Sequence, residues 1–576
     1  MRRLPWPVVY GGAVALFFTS VKLFDPDLWW HLASGRLILA RGLPTMNTFS
    51  HTWPNYPWRI TEWAFDALLA LADRALGLTG VELVPAVLVA AAFLLTWDTI
   101  RRRCAGATPA AFHLLLPLAA AASWYRFTPR PHLVTYVGLA LLLNLRERRL
   151  RRPALALFVV ACVWANCHSG VVFGAAAAML VALATLLQGE RDRARREAVA
   201  AAAFLAGSLV NPNGWYPYQD AVFHLGVTSV LPLNEFRRAN LHDDPFFFLL
   251  AAMAIAAIPA HWKRRRFLDP LLVVAFLPVA IFAMRVIPKF AMVALPGLIQ
   301  ALEEARLGLQ ARRRGATAAA ALCLLGVVSA SAVALEARSV FVINRFGWGV
   351  NWKHLPEGAA RFVEDNDLAG KMYNDFAQGG YLIWRLWPRR PVFQDGRVPF
   401  YPPAFFREIL DAFGDPRGGP WQALMDHYQV EYAIVDRMPF GDGLDAGSRF
   451  AAIGWVPVYM DGVSYVYLRP SSLNRDVERE HGLMYLGYRE SPEDLFLAGQ
   501  VAPEEVRREV AGIDPGRLIL LEDFRGLTMA ALGAGDTALA ARFLSEGMRQ
   551  YPSDPFLGSV AQRLAARPER RPPPAR

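Results

Sequence analysis

Apolar residues in the first 340 positions fall in long blocks, without the alternation of strands or the single stripe of a surface helix. A bilayer span needs about 20 mostly apolar residues. Eleven stretches approach that description: 5–23, 80–99, 110–125, 132–147, 153–168, 170–188, 198–211, 245–262, 268–284, 286–302 and 316–336. The pattern predicts a mainly α, polytopic membrane protein with about 11 transmembrane helices over residues 1–336. Cation-rich stretches at 2–3, 101–103, 146–152, 191–196, 263–266 and 306–314 recur in every second connection. Positive charge collects on the cytoplasmic side of membrane proteins, which places the N-terminus inside and everything after residue 337 outside. The first apolar block runs into Lys22, Leu23, Phe24 and Asp25 with no small-residue cleavage site, so it reads as an uncleaved anchor.

Beyond residue 337 the pattern changes. Residues 337–470 alternate short strand-like and helix-like runs, an exterior α/β domain in which 371–374, 391–395 and 431–436 read as strands. Residues 456–468 read as a hairpin turning at Asp461-Gly462. Residues 471–565 are helical and end in the spacing of one tetratricopeptide-like hairpin. The basic, proline-rich tail 566–576 reads as disordered.

Composition agrees with this division. Of 576 residues 54% are hydrophobic and only 19% charged, which excludes a disordered chain. The net charge of +11 suggests nucleic-acid binding until its placement in alternate loops is noticed; topology accounts for it, and no nucleic-acid partner is expected. The four cysteines, Cys104, Cys162, Cys167 and Cys323, lie in or beside apolar blocks and have neither disulfide nor zinc spacing.

The loop after the first block, residues 24–61, carries the most chemistry. Asp25-Pro26 is a helix start: a capping side chain, then proline at the first helical position. Leu28, Leu32 and Leu39 with Trp29 and Trp30 describe a helix lying in the membrane interface. Asp27 and His31, four apart, share one of its faces. Asp25 as a cap and Asp27 as a solvated acid is one reading. An acid at the membrane surface acting as general base, or holding a divalent metal, is the other. Arg126, Arg130 and His132 in one later outer loop, and Arg285 and Lys289 in another, run against the usual charge bias. They suit phospholipid headgroups or a phosphate or pyrophosphate. Asn166 and His168 stand at the outer end of a span. Glu235 reads as a solvated acid. In the exterior domain Asp375, Asp395 and Asp436 each close a strand, where they cap helices or line a crevice.

The stretch "DPDLWWHLASGRLILARGLPTMNTFSHTWPNYPWRITEW" resembles the first outer loop of a large group of bacterial multi-pass proteins similar to GT-C-type glycosyltransferases. That type includes protein O-mannosyltransferases and lipid A aminoarabinose transferases. "RPH" at 130–132, "WANCHSG" at 164–170, "NPNG" at 211–214 and "GGYLIWRLWPRRPVFQDGR" at 379–397 follow in the same order, so the likeness covers residues 1–437. The resemblance implies a polyprenyl-phosphate-sugar donor, a bacterial cytoplasmic membrane location, and interfacial helices at 27–42 and 62–77. It also implies a carboxylate after the first span, falling on Asp25 or Asp27, that activates the acceptor or positions a metal. The Asp-Glu dipeptide of better-studied branches is missing here.

The expectation is an inverting glycosyltransferase at the outer membrane face. Asp25 or Asp27 serves as base, and His31, Arg126, Arg130, His132, His168, Arg285 and Lys289 contact substrate. No cofactor is certain, and a divalent metal is optional. The alternatives are a non-catalytic membrane scaffold whose exterior domain contacts a cell-envelope protein and, third, a lipid-linked glycan transporter or ligase.

Overall fold

The computed structural model describes residues 5–148, 150–227, 236–307, 346–398, 400–415, 418–437, 446–486 and 501–565. The chain divides into two compact units. One holds residues 1–46, 57–350 and 397–403; the other holds 47–56, 351–396 and 404–576.

The first unit is helical: α1 (Trp6–Thr19), α2 (Pro26–Arg41), α3 (Trp63–Leu76), α4 (Leu78–Arg103), α5 (Ala110–Ala121), α6 (His132–Glu147), α7 (Pro153–Cys167), α8 (Val171–Leu187), α9 (Arg191–Ser208), α10 (Tyr216–Val227), α11 (Pro245–Lys263), α12 (Leu268–Phe282) and α13 (Ile287–Leu307). Ten of the predicted apolar blocks each fall on a helix; the eleventh, 316–336, lies outside the described residues, as does Glu235. Among the described residues three helices are long and apolar enough to cross a membrane: Leu78–Arg103, Pro245–Lys263 and Met284–Ala305. The count of about 11 spans is therefore not reached on this measure. The apolar helices Trp6–Thr19, Ala110–Ala121, Pro153–Cys167, Val171–Leu187 and Leu268–Phe282 are shorter. At about 1.5 Å per residue, a 12-residue helix such as α5 covers roughly 18 Å of a hydrocarbon core about 30 Å thick.

The two helices that follow α1 are closely packed. Asp25 caps α2, accepting from the Asp27 backbone N–H at 3.0 Å, and Pro26 opens the helix. Gly42, at φ +83°, closes it with a 2.9 Å bond to the Ile38 carbonyl. Leu28, Trp29 and Leu32 are fully buried. At Gly35 a Cβ would collide with the Asp66 carbonyl, so glycine there is what lets α2 lie against α3.

The second unit carries one four-stranded sheet, β1 (Lys371–Asn374), β2 (Val430–Asp436), β3 (Val456–Met460) and β4 (Ser464–Leu468), in the order β1-β2-β4-β3. β1 and β2 are parallel, with Met372 opposite Tyr432; β4 runs antiparallel to both β2 and β3. The β3–β4 turn is at Asp461-Gly462, where Asp461 accepts from the N–H groups of Val463 and Ser464 at 2.8 and 2.9 Å. Residues 391–395, expected as a strand, form only an isolated bridge: Val392 pairs with Ser50. Segment 47–56 thereby joins this unit. His51 N–H donates to the Val392 carbonyl at 3.0 Å, the His51 ring meets the Met372 carbonyl at 2.8 Å, and Thr52 donates to the Phe393 carbonyl at 2.7 Å. The closing helices, α14 (Leu521–Gly533), α15 (Thr537–Gln550) and α16 (Pro555–Ala565), begin as a hairpin around Gly535 and the Asp536 cap.

Candidate functional site

Arg130 lies between the two acids at the start of α2. Its guanidinium ion-pairs with Asp27, and its Nε stands 3.8 Å from Asp25. Trp30 Nε1 also donates to Asp27, at 3.2 Å. Asp27 thus belongs to a partly buried ion pair rather than facing open water. A carboxylate held by a guanidinium is stabilised in its charged form and is a poorer base for as long as the pair lasts.

The other cations singled out in the sequence lie close to His132 and Tyr136. Arg126 is buried and bonds the His132 ring at 3.2 Å; that ring also bonds the Arg126 carbonyl at 2.6 Å. Arg126, Arg130 and Lys289 act electrostatically on His132, and Arg126, Arg130 and Arg285 act on Tyr136. Lys289 is buried, donates to the Arg285 carbonyl at 2.9 Å and lies 5.1 Å from the centre of the Phe173 ring. Arg285 stacks over Phe236 at 4.6 Å. Four cations from sequence positions 126 to 289 therefore collect around Tyr136 and His132. A narrow crevice next to Asp25, with room for little more than a water molecule, is walled by Lys22, Phe24, Glu82, Phe127 and Thr128.

Two of the predicted substrate contacts are engaged elsewhere. His31 points into the α2–α3 packing and bonds Asp66 at 2.7 Å, with both side chains buried. His168 Nδ1 accepts from Gly170 N–H at 3.0 Å and lies 2.8 Å from Thr135 Oγ1, which also accepts from Trp164 Nε1 at 3.1 Å. Asn166 accepts from Trp63 Nε1 at 2.8 Å, tying α7 to α3.

The two acids at the start of α3, Glu62 at its cap and Asp66 in its first turn, had no sequence signal. Asp66 is wholly buried, and burial holds its carboxyl well above the usual carboxylate range. Glu62, half-buried at the cap of α3, takes the Thr61 hydroxyl bond and is pushed up to about 7, chiefly by desolvation. Burial lowers His31 to about 4. All three favour their uncharged forms. A search for pairs close in sequence passes over them, because His31 and Asp66 stand 35 residues apart.

For a divalent metal the sequence nominates Asp25 and Asp27. Arg130 already occupies both, and among the described residues no group of three or more His, Cys, Asp or Glu side chains is arranged to hold one. In the second unit Asp375 is pushed up to about 7 by burial while accepting from the Asp436 N–H at 2.7 Å; Asp395 is buried. Arg397, in the first unit, is buried with its guanidinium 4.5 Å from the centre of the Trp58 ring.

No family model matches the chain, and no curated protein matches it. Among solved structures, the apo oligosaccharyltransferase of Archaeoglobus fulgidus is similar at a TM-score of 0.50 and 12% identity, over 74% of this chain and 69% of that one. The AglB oligosaccharyltransferase of the same organism, in complex with an inhibitory peptide and a dolichol-phosphate, gives 0.49 and 11% over 74% and 69%. ArnT from Cupriavidus metallidurans bound to undecaprenyl phosphate gives 0.46 and 13% over 81% and 98%. At 12% identity the first of these establishes a likeness of fold and nothing beyond it.

Proposed function

We propose that the chain is an inverting glycosyltransferase that uses a polyprenyl-phosphate sugar at the outer face of a bacterial cytoplasmic membrane, with the second unit exterior. The observation that carries this reading is the placement of Arg130: one guanidinium joins the two acids after α1 to a cluster of three further cations. Arginine pairs with phosphate as readily as with carboxylate. A donor phosphate arriving beside Arg126, Arg285 and Lys289 competes for Arg130 and releases Asp27 or Asp25 from its ion pair. The freed carboxylate takes the proton of the acceptor hydroxyl. The acceptor oxygen bonds to the sugar's anomeric carbon from the face opposite the leaving group, the carbon–oxygen bond to phosphate breaks, and the lipid phosphate departs with the electron pair. The cations hold the charge that develops on it. No step is routed through a metal. The crevice next to Asp25 must widen to admit an acceptor.

General-base assistance is typically worth about 10²–10⁴ in rate. Asp25→Asn and Asp27→Asn, each made in a producing strain, are expected to remove one surface glycan or glycolipid species in at least one case. Unchanged profiles in both would discard the catalytic assignment. Donor class is read separately by native mass spectrometry of the purified chain. A co-purified polyprenyl phosphate or its sugar conjugate, lost in an Arg126→Ala/Arg130→Ala variant, is the expected result.

A further inference from the structure

Helices α6, α7, α8 and α9 enclose a second polar site at the ends opposite to the cation cluster. α6 begins at His132 in that cluster and ends at Glu147, a helix of 16 residues or about 24 Å. At the far end a cavity of about 540 Å³ is lined from all four helices, and its lining includes Leu142, Arg146, Arg151, Leu157, Arg193 and Arg196. That volume lies within the range of small-molecule sites.

The charges around it do not balance. Arg193 is matched by Glu190 at 3.1 Å and Glu197 at 3.7 Å. Arg146 donates to Glu147 at 3.0 Å, but that carboxylate already serves the buried Arg103, also at 3.0 Å. The Nε of Arg146 is buried with no hydrogen-bond partner. Arg151 and Arg196, both exposed at the mouth of the cavity, enter no ion pair among the described residues. A buried guanidinium with an unused donor costs stability unless an anion meets it. The lining also includes the apolar side chains of Leu142, Leu145, Leu157 and Val181. On the same two helices, α7 and α8, Leu155, Val159, Val163, Met179 and Leu183 are exposed. Unpaired arginines beside apolar side chains match an amphiphile with an anionic head.

We propose that this cavity binds an anionic membrane phospholipid, its phosphate against Arg146 and Arg151 and the upper part of one acyl chain against Leu142, Leu145 and Leu157. The inference is independent of the donor site, which lies at the other end of α6.

The test is native mass spectrometry of the full chain in mild detergent, titrated with phosphatidylglycerol or phosphatidylcholine. The wild-type protein is expected to hold one phosphatidylglycerol at least tenfold more tightly than phosphatidylcholine. Arg146→Gln/Arg151→Gln should lose that preference, and Leu157→Trp, which fills the apolar part and leaves every cation in place, should lower occupancy by at least tenfold. The Arg126→Ala/Arg130→Ala variant should bind phosphatidylglycerol as the wild type does. Equal binding of the two lipids by the wild type, or unchanged binding in Leu157→Trp, overturns the proposal even where the double arginine variant fails to fold. Displacement of the lipid by millimolar glycerol 1-phosphate also overturns it, since the occupant would then be a soluble phosphate ester.

Discussion

The starts of α2 and α3 present the same problem and answer it in opposite ways. Each has two acids within its cap and first turn, Asp25 and Asp27 on one, Glu62 and Asp66 on the other. The helix dipole favours negative charge at both. Asp25 and Asp27 lie beside Arg130 and have a cation to neutralise them. Asp66 is buried against His31 instead, with Glu62 half-buried nearby, and desolvation drives all three toward neutrality. A carboxylate near a helix start therefore has no fixed charge state. The group that packs against it decides whether it is a charged, exchangeable ligand or a neutral part of the core.

Arg130→Ala should show the largest effect on stability, because it strands two partly buried acids. A loss of roughly 3 kcal/mol is expected, at the low end for breaking a buried pair, and thermal melting in detergent reads it. Asp27→Asn in the same background should restore part of that loss by removing one stranded charge. Asp66→Ala should cost roughly 2–3 kcal/mol through a cavity and a stranded His31. Asp66→Asn should cost under about 1 kcal/mol, since an amide mimics a neutral carboxyl; equal losses in the two variants would show that Asp66 is charged. Glu62→Gln tests the same idea through pH. With its folded value raised to about 7, Glu62 contributes stability below its ordinary value near 4.5 and loses it as pH rises through 7. The melting temperature of the variant should therefore gain on wild type between pH 5 and 8, by the equivalent of roughly 2 kcal/mol. A gap that stays flat would contradict the assignment. Arg36→Ala, at the exposed Arg36–Asp73 pair of 2.8 Å between the same two helices, should cost under about 1 kcal/mol.

Local patterns were readable. The apolar blocks became helices, Asp25 became the cap of α2, and Asp461-Gly462 became the turn of the hairpin. Each depends on neighbours a few residues apart. Arg130 and Asp27 were both nominated, but their pairing joins residues 103 positions apart, and nothing in either stretch announces it. Asp66 escaped notice because an acid on an amphipathic helix ordinarily faces water, whereas here its side chain bonds the buried His31 of α2. The strand expected at 391–395 failed for a related reason: its partner is the distant segment 47–56, and a single bridge is all that results.

That segment also constrains the order in which the protein can be made. Thr52 waits for the Phe393 carbonyl, 341 residues later in the chain. At a synthesis rate of about 5–20 residues per second, the ribosome needs roughly 17–70 s to deliver it. During that interval the groups that His51 and Thr52 will meet do not yet exist. A message truncated before residue 393 leaves the segment without its anchor, so the earliest loop of the protein is among the last parts to be finished.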